Sequence, residues 1–421
     1  MTIVSPPAAL PRLLGPLIEE ALGDTRVVGV LGPRQAGKST LVRHVVAGRE
    51  NAAYASLDDA DVRAAVAADP RGFVQGRRGL LAIDEVQRVP ELLLAIKAEV
   101  DTDQRPGRFL VTGSSQLSAN RGVTETLAGR IERFELWPLS ESEQNGAAGS
   151  FVDLVLDAGV DREYRSELTK LDYLTLAAAG GFPEAVRRPP RRRSAWFDAY
   201  VETVVDREAP GISASPRTAE LPRLLRLVAA RHSGLLNIAD LARDAAMPER
   251  TVHRYLDVLE AVFLIRRLPA WAANRTQREV RAPKIFLTDP GLATHLRGLE
   301  PTALIRPELA KGADGPVVEG LVHAELLRQS GWSRHRPTLF HYRERDGAEI
   351  DLVIEDRAGR VAAIEVKAAV DVTGRDVRHL SRFRDRLGDR FVAGIVLHTG
   401  ARALPLGDRL SAVPIAALWN G

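Results

Sequence analysis

The sequence predicts a multidomain α/β protein, and two observations lead to this prediction. The chain has 421 residues, which at roughly 150 residues per domain corresponds to about three folded units. Three short apolar runs lie near its start, and helical segments separate them: "RVVGVL" (26–31), "GLLAID" (79–84) and "RFLVTGSS" (108–115). The second run ends in an acidic residue and the third in hydroxylic residues. Strands that alternate with helices in this way indicate a parallel sheet, with a polar site along the edge at which the strands end.

The composition indicates a globular protein without a membrane span. Hydrophobic residues make up 45% of the chain and charged residues 27%, and no apolar run reaches the length of about 18 residues that a span needs. The N-terminal stretch has no basic region before an apolar core, so we expect no secretory signal and a cytoplasmic location. Cysteine is absent, which excludes disulfides, thiolate metal sites and a cysteine nucleophile. The net charge is only +3, so binding to nucleic acid would depend on local basic patches.

A phosphate-binding loop follows the first apolar run. The segment "GPRQAGKS" (32–39) fits the pattern G-x-x-x-x-G-K-[ST], with a strand before it and a helix after it. Glycines let backbone N–H groups turn toward phosphate oxygens, the lysine reaches the β- and γ-phosphates, and the serine hydroxyl binds magnesium. The sequence therefore predicts ATP and Mg²⁺ as cofactors. The predicted nucleotide-binding residues are Gly32, Gly37, Lys38, Ser39, Thr40 and Asp84.

Two adjacent carboxylates follow the second apolar run, in "LLAIDEVQ". In the same sheet as a phosphate loop, Asp84 is expected to hold the magnesium ion together with Ser39. Glu85 is expected to orient and polarise the attacking water. The pair predicts hydrolysis of the nucleotide in addition to binding.

With these motifs, the chain resembles predicted bacterial and archaeal ATPases of the AAA+ superfamily that carry a C-terminal domain similar to PD-(D/E)XK nucleases. The phosphate loop, "AIDEVQ", "VTGSS", "LAGRIERFELWPLS", "GGFPE" and "EID…IEVK" occur in the order found in that family. The resemblance implies that Ser114, with Ser115 as the alternative, senses the γ-phosphate. It also implies that Arg130 reaches the nucleotide of a neighbouring subunit, which would make the active ATPase a homo-oligomer, a ring. An ordinary surface arginine or a contact within one subunit is the alternative for Arg130.

Two basic segments are candidates for contact with DNA. "IADLARDA", "AMP" and "ERTVHRYLDVLEAVFL" resemble a winged helix-turn-helix, in which Val252, Leu256, Leu259 and Phe263 form the apolar stripe. Arg250 and Arg254 lie opposite that stripe, beside His253, and arginine suits phosphate and guanine contacts. Winged helices also bind proteins. The second segment is the run "RRPPRRR" (187–193), whose prolines argue against a buried helix. It either contacts phosphates through Arg191, Arg192 and Arg193 or forms a solvated linker.

The C-terminal stretch "AEIDLVIEDRAGRVAAIEVKA" (348–368) reads as two strands joined by a turn. Alternation directs Glu365 and Lys367 to one face and their apolar neighbours to the other. Asp351 on the paired strand could share a cation with Glu365. The set of Glu319, Asp351, Glu365 and Lys367, with Glu349 as a helper, matches the acidic residues and lysine of the nuclease family, and the first three are the predicted metal ligands. Three interpretations remain open: a metal site that cleaves DNA, a nuclease fold that binds without cutting, and a wet polar face.

The predicted domains are an AAA+ P-loop ATPase core with a parallel sheet (1–140), a helical lid (141–212), a winged helix-turn-helix (213–300) and a restriction-endonuclease-like α/β domain (301–421). The leading functional hypothesis is an ATPase that acts on DNA, branched or damaged, with metal-dependent cleavage as an added activity. The alternative is a nucleotide-controlled switch that binds a protein partner through an inactive nuclease-like domain. A P-loop kinase ranks third, because no small-substrate acceptor pocket is apparent and Glu85 suits attack by water.

Overall fold

The computed structural model describes residues 10–113, 127–157, 159–161, 163–207, 220–344 and 347–420. Contacts divide the chain into two compact units. The first consists of the described residues of Met1–Leu139 and Glu143–Ala148, and the second of those of Ser140–Ser142 and Gly149–Gly421. The structure thus places most of the predicted lid, the winged-helix segment and the C-terminal segment in one unit, where the sequence suggested three separate domains.

The first unit alternates strands and helices. Its strands are β1 (Val27–Leu31), β2 (Ala53–Ser56), β3 (Leu81–Asp84), β4 (Phe109–Gly113) and β5 (Ile131–Glu135). Its helices are α1 (Gly15–Asp24), α2 (Lys38–Ala47), α3 (Ala60–Ala68), α4 (Pro70–Val74) and α5 (Glu91–Thr102). A short helix, α6 (Glu141–Asn145), lies where the chain passes from the first unit to the second.

The strands of the first unit form a parallel sheet in the order β2-β3-β4-β1-β5. The three apolar runs of the sequence are β1, β3 and β4, every residue of which is buried. One face packs against α1 and α2 through residues such as Ile18, Val28 and Val42. The predicted parallel sheet is confirmed, and the carboxyl ends of β1, β3 and β4 meet at one edge.

The second unit begins with helices. These are α7 (Phe151–Asp157), α8 (Lys170–Ala179), α9 (Pro183–Val186), α10 (Pro190–Arg207), α11 (Leu221–Ala230), α12 (Ile238–Ala245) and α13 (Glu249–Ala261). A two-stranded antiparallel sheet follows, made of β6 (Ile265–Leu268) and β7 (Lys284–Leu287), with α14 (Arg275–Val280) between its strands. The chain continues through α15 (Pro290–Leu296), α16 (Pro301–Leu304), α17 (Pro307–Ala310) and α18 (Asp314–Trp332). No helix in the described part of the chain is both long enough and apolar enough to cross a bilayer.

Helices α11, α12 and α13 pack around a common apolar core with β6 and β7. The stripe predicted for α13 is buried: Val252, Leu256 and Leu259 are 0% exposed. Phe263, two residues beyond the helix, is 6% exposed. The helix therefore presents its other face, which carries Arg250 and Arg254, to solvent.

A mixed sheet completes the second unit, with the strand order β12-β13-β11-β10-β9-β8. Its elements are β8 (Thr338–Arg343), β9 (Glu349–Glu355), β10 (Val361–Lys367), α19 (Gly374–Leu387), β11 (Phe391–His398), β12 (Leu404–Gly407), β13 (Leu410–Pro414) and α20 (Ala417–Asn420). Helix α18 contributes to the apolar core on one face of this sheet and α19 to the core on the other. Strands β9 and β10 are the antiparallel pair that the sequence predicted, and Ile364 on β10 lies opposite Leu352 on β9.

The arginine run differs from its prediction. Its prolines do not exclude a helix, because Pro190 is the first residue of α10, a position where the missing N–H of proline costs nothing. Arg191 and Arg192 are exposed in the first turn. Arg193 instead donates hydrogen bonds to the carbonyls of Ala185 (3.1 Å) and Arg188 (3.0 Å), so its guanidinium holds the end of α9.

The "GGFPE" motif packs its backbone closely against a buried carboxylate within the second unit. Asp289 is fully buried, accepts a hydrogen bond from the N–H of Gly181 (2.8 Å) and caps α15 through the N–H of Leu292 (3.0 Å). Gly180 has φ +68° and ψ −162°, a region that only glycine adopts readily. A Cβ there would lie 2.3 Å from Oδ1 of Asp289. The motif is explained by this approach of backbone to a buried carboxylate.

Gly180→Ala should therefore destabilise the second unit more than an alanine at a glycine position where the positive φ is the only cost. Gly298 is the matched control, since it has φ +63° and nothing within 4 Å of an added Cβ. We expect Gly298→Ala to cost about 1–2 kcal/mol and Gly180→Ala to cost about 1–3 kcal/mol more, because the side chain must displace Asp289. Chemical denaturation of the two variants measures this difference, and equal costs would contradict the packing argument.

Candidate functional site

The phosphate loop follows β1 directly and is shaped by two glycines. Gly32 has φ +149° and Gly37 has φ +98°, values that L side chains rarely adopt. A Cβ on Gly32 would lie 2.2 Å from the carbonyl oxygen of Leu136. The loop can pass this close to the chain after β5 only because residue 32 has no side chain.

Helix α2 begins at the end of the loop with its N-terminus open to a ligand. Gly37 is the N-cap, no side chain caps the first N–H groups, and no acidic residue lies in the first turn. Such a terminus favours an anion, through its N–H groups and the helix dipole. The Lys38 ammonium donates to the carbonyls of Gly32 (2.9 Å) and Pro33 (2.9 Å), while Ser39 is half-buried and Thr40 exposed. These residues fit a nucleoside triphosphate together with magnesium.

Asp84 and Glu85 lie at the same sheet edge, and a single hydroxyl joins them. Asp84, at the end of β3, is 4% exposed. Thr112 on β4 is fully buried, donates its hydroxyl to Oδ1 of Asp84 and accepts the N–H of Glu85 (3.0 Å). Glu85 has φ +59°, an uncommon conformation for a residue with a side chain, and Gln87 donates to its carboxylate. The strained turn directs two carboxylates, one buried and one half-buried, to separate positions.

The other oxygen of Asp84 is tied to the phosphate-loop helix through an aromatic residue. Tyr54 on β2 donates its hydroxyl to Oδ2 of Asp84 (2.8 Å), and Arg43 of α2 lies over its ring, 4.7 Å from the centroid. Burial raises the pKa of Tyr54, with a smaller contribution in the same direction from Asp84. The phenol therefore stays protonated and remains a donor to the carboxylate.

Arg12 fixes the phosphate loop from the segment before α1. Its guanidinium donates to the carbonyls of Ala36 (2.6 Å) and Trp137 (2.5 Å) and to the carboxylate of Glu143 (2.9 Å). The side chains of Arg12 and Glu143 are 8% and 1% exposed. One buried ion pair thus connects the loop to the chain that follows β5, all within the first unit.

Of the residues that the resemblance implies, Arg130 lies on the surface before β5. Its guanidinium makes a two-point contact with the carboxylate of Asp101 on α5, including Nη2 to Oδ2 at 3.1 Å. The hydrogen bonds from Arg130 lower the pKa of Asp101. Ser114 and its alternative Ser115 lie outside the described residues.

The predicted nuclease-like residues converge in the second unit, but around a lysine. Lys284, the first residue of β7, is 3% exposed, and its ammonium contacts Glu319 Oε1 (2.8 Å), Glu349 Oε1 (2.9 Å) and Asp351 Oδ1 (3.0 Å). We call these four residues, with Glu365, the carboxylate cluster. Burying an ammonium requires partners of this kind, and the three carboxylates supply them.

The remaining groups of the set are also paired inside the protein. Oδ2 of Asp351 accepts the N–H of Val366 (2.9 Å). Lys367 contacts Oε1 of Glu365 (2.8 Å) and lies 3.7 Å from Oδ1 of Asp376, which confirms that Glu365 and Lys367 share a face. Oε2 of Glu365 is buried without a hydrogen-bond partner.

The prediction of a metal site at Glu319, Asp351 and Glu365 does not fit this geometry. Within the described ranges, no group of three or more histidine, aspartate or glutamate side chains is arranged to hold a metal ion. The physical reason is that the Lys284 ammonium lies at the point where three of the carboxylates meet. The residues come together as the sequence suggested, and their partner is a protein cation.

Burial governs the protonation of the carboxylate cluster. It raises the pKa of Glu319 and of Glu365, and the charge of Asp351 adds to both shifts. Burial alone would lower the pKa of Lys284, but the charges of Asp351, Glu319 and Glu349 outweigh it and raise that pKa above its usual value. The lysine therefore stays charged, and the two glutamates hold their protons to a higher pH than exposed glutamates do.

The candidate DNA contacts lie in the same unit on solvent-facing surfaces. Arg250 and Arg254 are exposed on α13, and Arg254 lies over the neighbouring Tyr255 ring, 5.3 Å from its centroid. Arg191 and Arg192 are exposed on α10, whereas Arg193 is engaged in packing as described above. The geometry leaves four of the five predicted arginines accessible to a partner.

Comparison with known proteins gives matches along most of the chain. Residues 24–145 match a family model described as an AAA domain, and residues 170–303 and 314–418 match domains of unknown function (DUF8612 and DUF4143). The protein Rv2008c of Mycobacterium tuberculosis is 31% identical over 402 residues, covering 94% of this chain and 82% of its own length. Mb2031c of Mycobacterium bovis matches with the same identity and coverage. The chain belongs to the family of these mycobacterial proteins.

More distant matches include a Haemophilus influenzae protein, 22% identical over 321 residues, which covers 74% of this chain and 71% of that protein. Among solved structures, the Walker-type ATPase PABY2304 of Pyrococcus abyssi matches with a TM-score of 0.40 and 16% identity, over 68% of this chain and 94% of that one. The first unit of this chain is an AAA-type P-loop ATPase domain, as the AAA match and the loop geometry show.

Sequence reasoning missed three residues that organise these sites. Thr112 is one hydroxyl in an apolar strand, Arg12 precedes the first helix, and Lys284 begins a strand of only four residues. A lysine next to "IFL" is a weak signal by itself, although lysine is almost never fully buried unless it is paired. None of the three could be assigned a partner from local spacing.

Thr112→Val should separate catalysis from nucleotide binding. The change keeps the volume but removes the donor to Asp84 and the acceptor of the Glu85 N–H, a loss of about 1–3 kcal/mol. We expect kcat for ATP hydrolysis to fall roughly tenfold or more, with nucleotide affinity by calorimetry little changed. Thr112→Ser, which keeps the hydroxyl, should retain activity. A valine variant with normal kcat would show that the hydroxyl does not position the carboxylates.

Proposed function

We propose that this protein hydrolyses ATP in its first unit and couples hydrolysis to work on DNA, branched or damaged, through its second unit. The observation that carries the first half is the convergence of the phosphate loop, Asp84 and Glu85 at one edge of the parallel sheet. The second half is supported by the exposed arginine face of α13.

In this proposal each group at the sheet edge has one role. Lys38, which donates to the loop carbonyls, would contact the β- and γ-phosphates, and Ser39 and Asp84 would hold magnesium, which supplies charge neutralisation for the phosphate oxygens. Glu85 orients the attacking water and accepts its proton. Thr112 fixes the Asp84 carboxylate and the backbone of Glu85, so that Asp84 is placed to bind and Glu85 to act as base.

The DNA role is supported by the fold and charge of one module. Three helices followed by a two-stranded antiparallel sheet is the element order expected of a winged helix. Its third helix buries one face and exposes Arg250 and Arg254 four residues apart on the other. Arginines so spaced can contact successive phosphates or base edges in a groove.

A second candidate function is a nucleotide-controlled switch that binds a protein partner. The observation that favours it is Lys284, because a lysine among the nuclease-like carboxylates argues against DNA cleavage. In that function, the α13 face and the mixed-sheet domain recognise a protein, and ATP hydrolysis resets the assembly.

A homo-oligomeric ring with Arg130 acting in trans remains part of the proposal. Val27 lies opposite Ile131 in the parallel pair of β1 and β5, so Arg130 precedes β5 at the sheet edge opposite the phosphate loop. Five strand residues, about 16 Å, separate the two edges. This supports a target outside its own subunit.

The direct test measures steady-state ATP hydrolysis with single-stranded DNA, duplex DNA and a four-way junction, and Glu85→Gln is the blank. We expect Glu85→Gln to lower kcat by about 10²–10⁴-fold, because it removes the base. One DNA structure should stimulate the wild-type rate. An ATPase that ignores every DNA, without salt-dependent DNA binding, would support the protein-partner switch in place of the DNA role.

The arginine variants make the same assay specific. Replacing Arg250 and Arg254 by alanine should reduce the salt dependence of DNA binding by about one unit of slope per residue. Arg243→Ala is the matched control, since Arg243 is 71% exposed on α12 and pairs with Asp240. Equal losses in both variants would point to general charge and not to the α13 face.

Arg130→Ala tests the oligomer. If the guanidinium acts on a neighbour's nucleotide, kcat should fall by about 10³-fold or more, whereas Asp101→Asn, which removes only its partner on α5, should leave kcat near wild type. Mixing Arg130→Ala subunits with Glu85→Gln subunits should restore activity, because mixed interfaces then contain one complete site. Mixtures that stay inactive would exclude action in trans.

A further inference from the structure

We propose that the Lys284 ammonium is the permanent cation of the carboxylate cluster. The cluster therefore binds no divalent ion and cuts no DNA, and acts as an ion-pair clasp that fastens the two-stranded sheet to the mixed-sheet domain. The contacts that carry this are those of Lys284 Nζ with Glu319 (2.8 Å), Glu349 (2.9 Å) and Asp351 (3.0 Å). The inference concerns the second unit alone and does not depend on ATP hydrolysis.

The spacing of the oxygens suits an ammonium and not a metal ion. The three carboxylate oxygens lie 2.8–3.0 Å from the nitrogen, whereas magnesium needs oxygens at about 2.0–2.1 Å and calcium at about 2.3–2.6 Å. The second oxygen of Asp351 is already bonded to the N–H of Val366. A divalent ion could enter only if the ammonium left and the carboxylates moved inward.

The backbone of Lys284 is fixed along both edges of its strand. Strand β7 is paired with β6 along one edge, with Leu268 opposite Lys284. Along its other edge, the N–H of Ile285 donates to Gly234 (2.9 Å) and the carbonyl of Ile285 accepts from Ser233 (2.8 Å). The three residues after Lys284 are at most 1% exposed. The Lys284 backbone is therefore fixed beside the cluster, and its side chain, 3% exposed, is held there by its three carboxylate contacts.

The clasp joins elements that are far apart in the sequence. Glu319 belongs to α18, Glu349 and Asp351 belong to β9, and Lys284 belongs to β7. The same junction has a backbone component, because the N–H of Trp271 donates to His341 on β8 (2.6 Å) and the N–H of His341 donates to Pro269 (3.0 Å). Glu365 pairs with Lys367, which lies beside the cluster.

Manganese binding to the nucleotide-free full chain tests the proposal in the wild type. Bound Mn²⁺ is counted by electron paramagnetic resonance for wild type and for Glu365→Gln, a change at a predicted metal ligand whose carboxylate pairs with Lys367. We expect the same count for both. A site that is present in wild type and lost in Glu365→Gln would overturn the proposal.

Lys284→Met tests the role of the ammonium itself. Leaving buried carboxylates unpaired should lower Tm by roughly 5–10 °C in chelator. Because the cluster then lacks a cation, Mn²⁺ should raise the Tm of this variant by about 3 °C or more at saturating metal, and adding Glu365→Gln should abolish that rise. A Lys284→Met protein that folds and ignores Mn²⁺ would show that the lysine is not what excludes the metal.

If Lys284→Met alone does not fold, Lys284→Met with Glu319→Gln removes one charge of each sign and is measured in the same way. A Mn²⁺-dependent rise of Tm in this double variant, absent from wild type, supports the clasp. A double variant whose Tm does not rise with Mn²⁺ counts against the proposal. The Mn²⁺ count of wild type and Glu365→Gln tests the proposal independently of both lysine variants.

Discussion

The ammonium of Lys284 is buried among three carboxylates, and the architecture of the second unit depends on that interaction. Removing one partner of a buried ion pair costs about 3–5 kcal/mol, and here a single nitrogen serves α18, β9 and β7 at once. Such a contact gives little net stability compared with apolar packing. What it specifies is position, because β7 must lie where one lysine reaches carboxylates of both α18 and β9.

The site of the first unit is built on different physics. Backbone conformations that only glycine adopts readily create the loop, and the Thr112 hydroxyl bonds both the Asp84 carboxylate and the backbone N–H of Glu85. Arg12 adds a buried guanidinium that spans the loop and the chain after β5. The resulting edge is preorganised for phosphate and water, which is the condition for electrostatic catalysis of phosphoryl transfer.

The elements with strong local signals could be predicted from the sequence. The apolar runs of β1, β3 and β4, the buried stripe of α13 and the face shared by Glu365 and Lys367 follow from period and burial, and the structure confirms them. The start of α10 at Pro190 and the pairing of Arg193 with carbonyls depend on packing that a charge run does not reveal.

Long-range partners account for the rest. Lys284 contacts residues 35 and 67 positions away, so nothing in the spacing of Glu319, Asp351 and Glu365 could show that a lysine lies among them. The acids come together as the motif predicted, and the cation that three of them contact is the Lys284 ammonium. The identity of the cation matters for function. Carboxylates that hold a metal ion can cleave phosphodiesters, whereas the same carboxylates around an ammonium connect parts of the structure.

The most direct measurement is anomalous diffraction at the manganese edge, from crystals of the full chain grown with MnCl₂ and a non-hydrolysable ATP analogue. The account predicts a manganese peak at the phosphate loop, between Ser39, Asp84 and the nucleotide, and none in the carboxylate cluster, where Lys284 keeps its three contacts. A peak among Glu319, Asp351 and Glu365 with the ammonium displaced would contradict it.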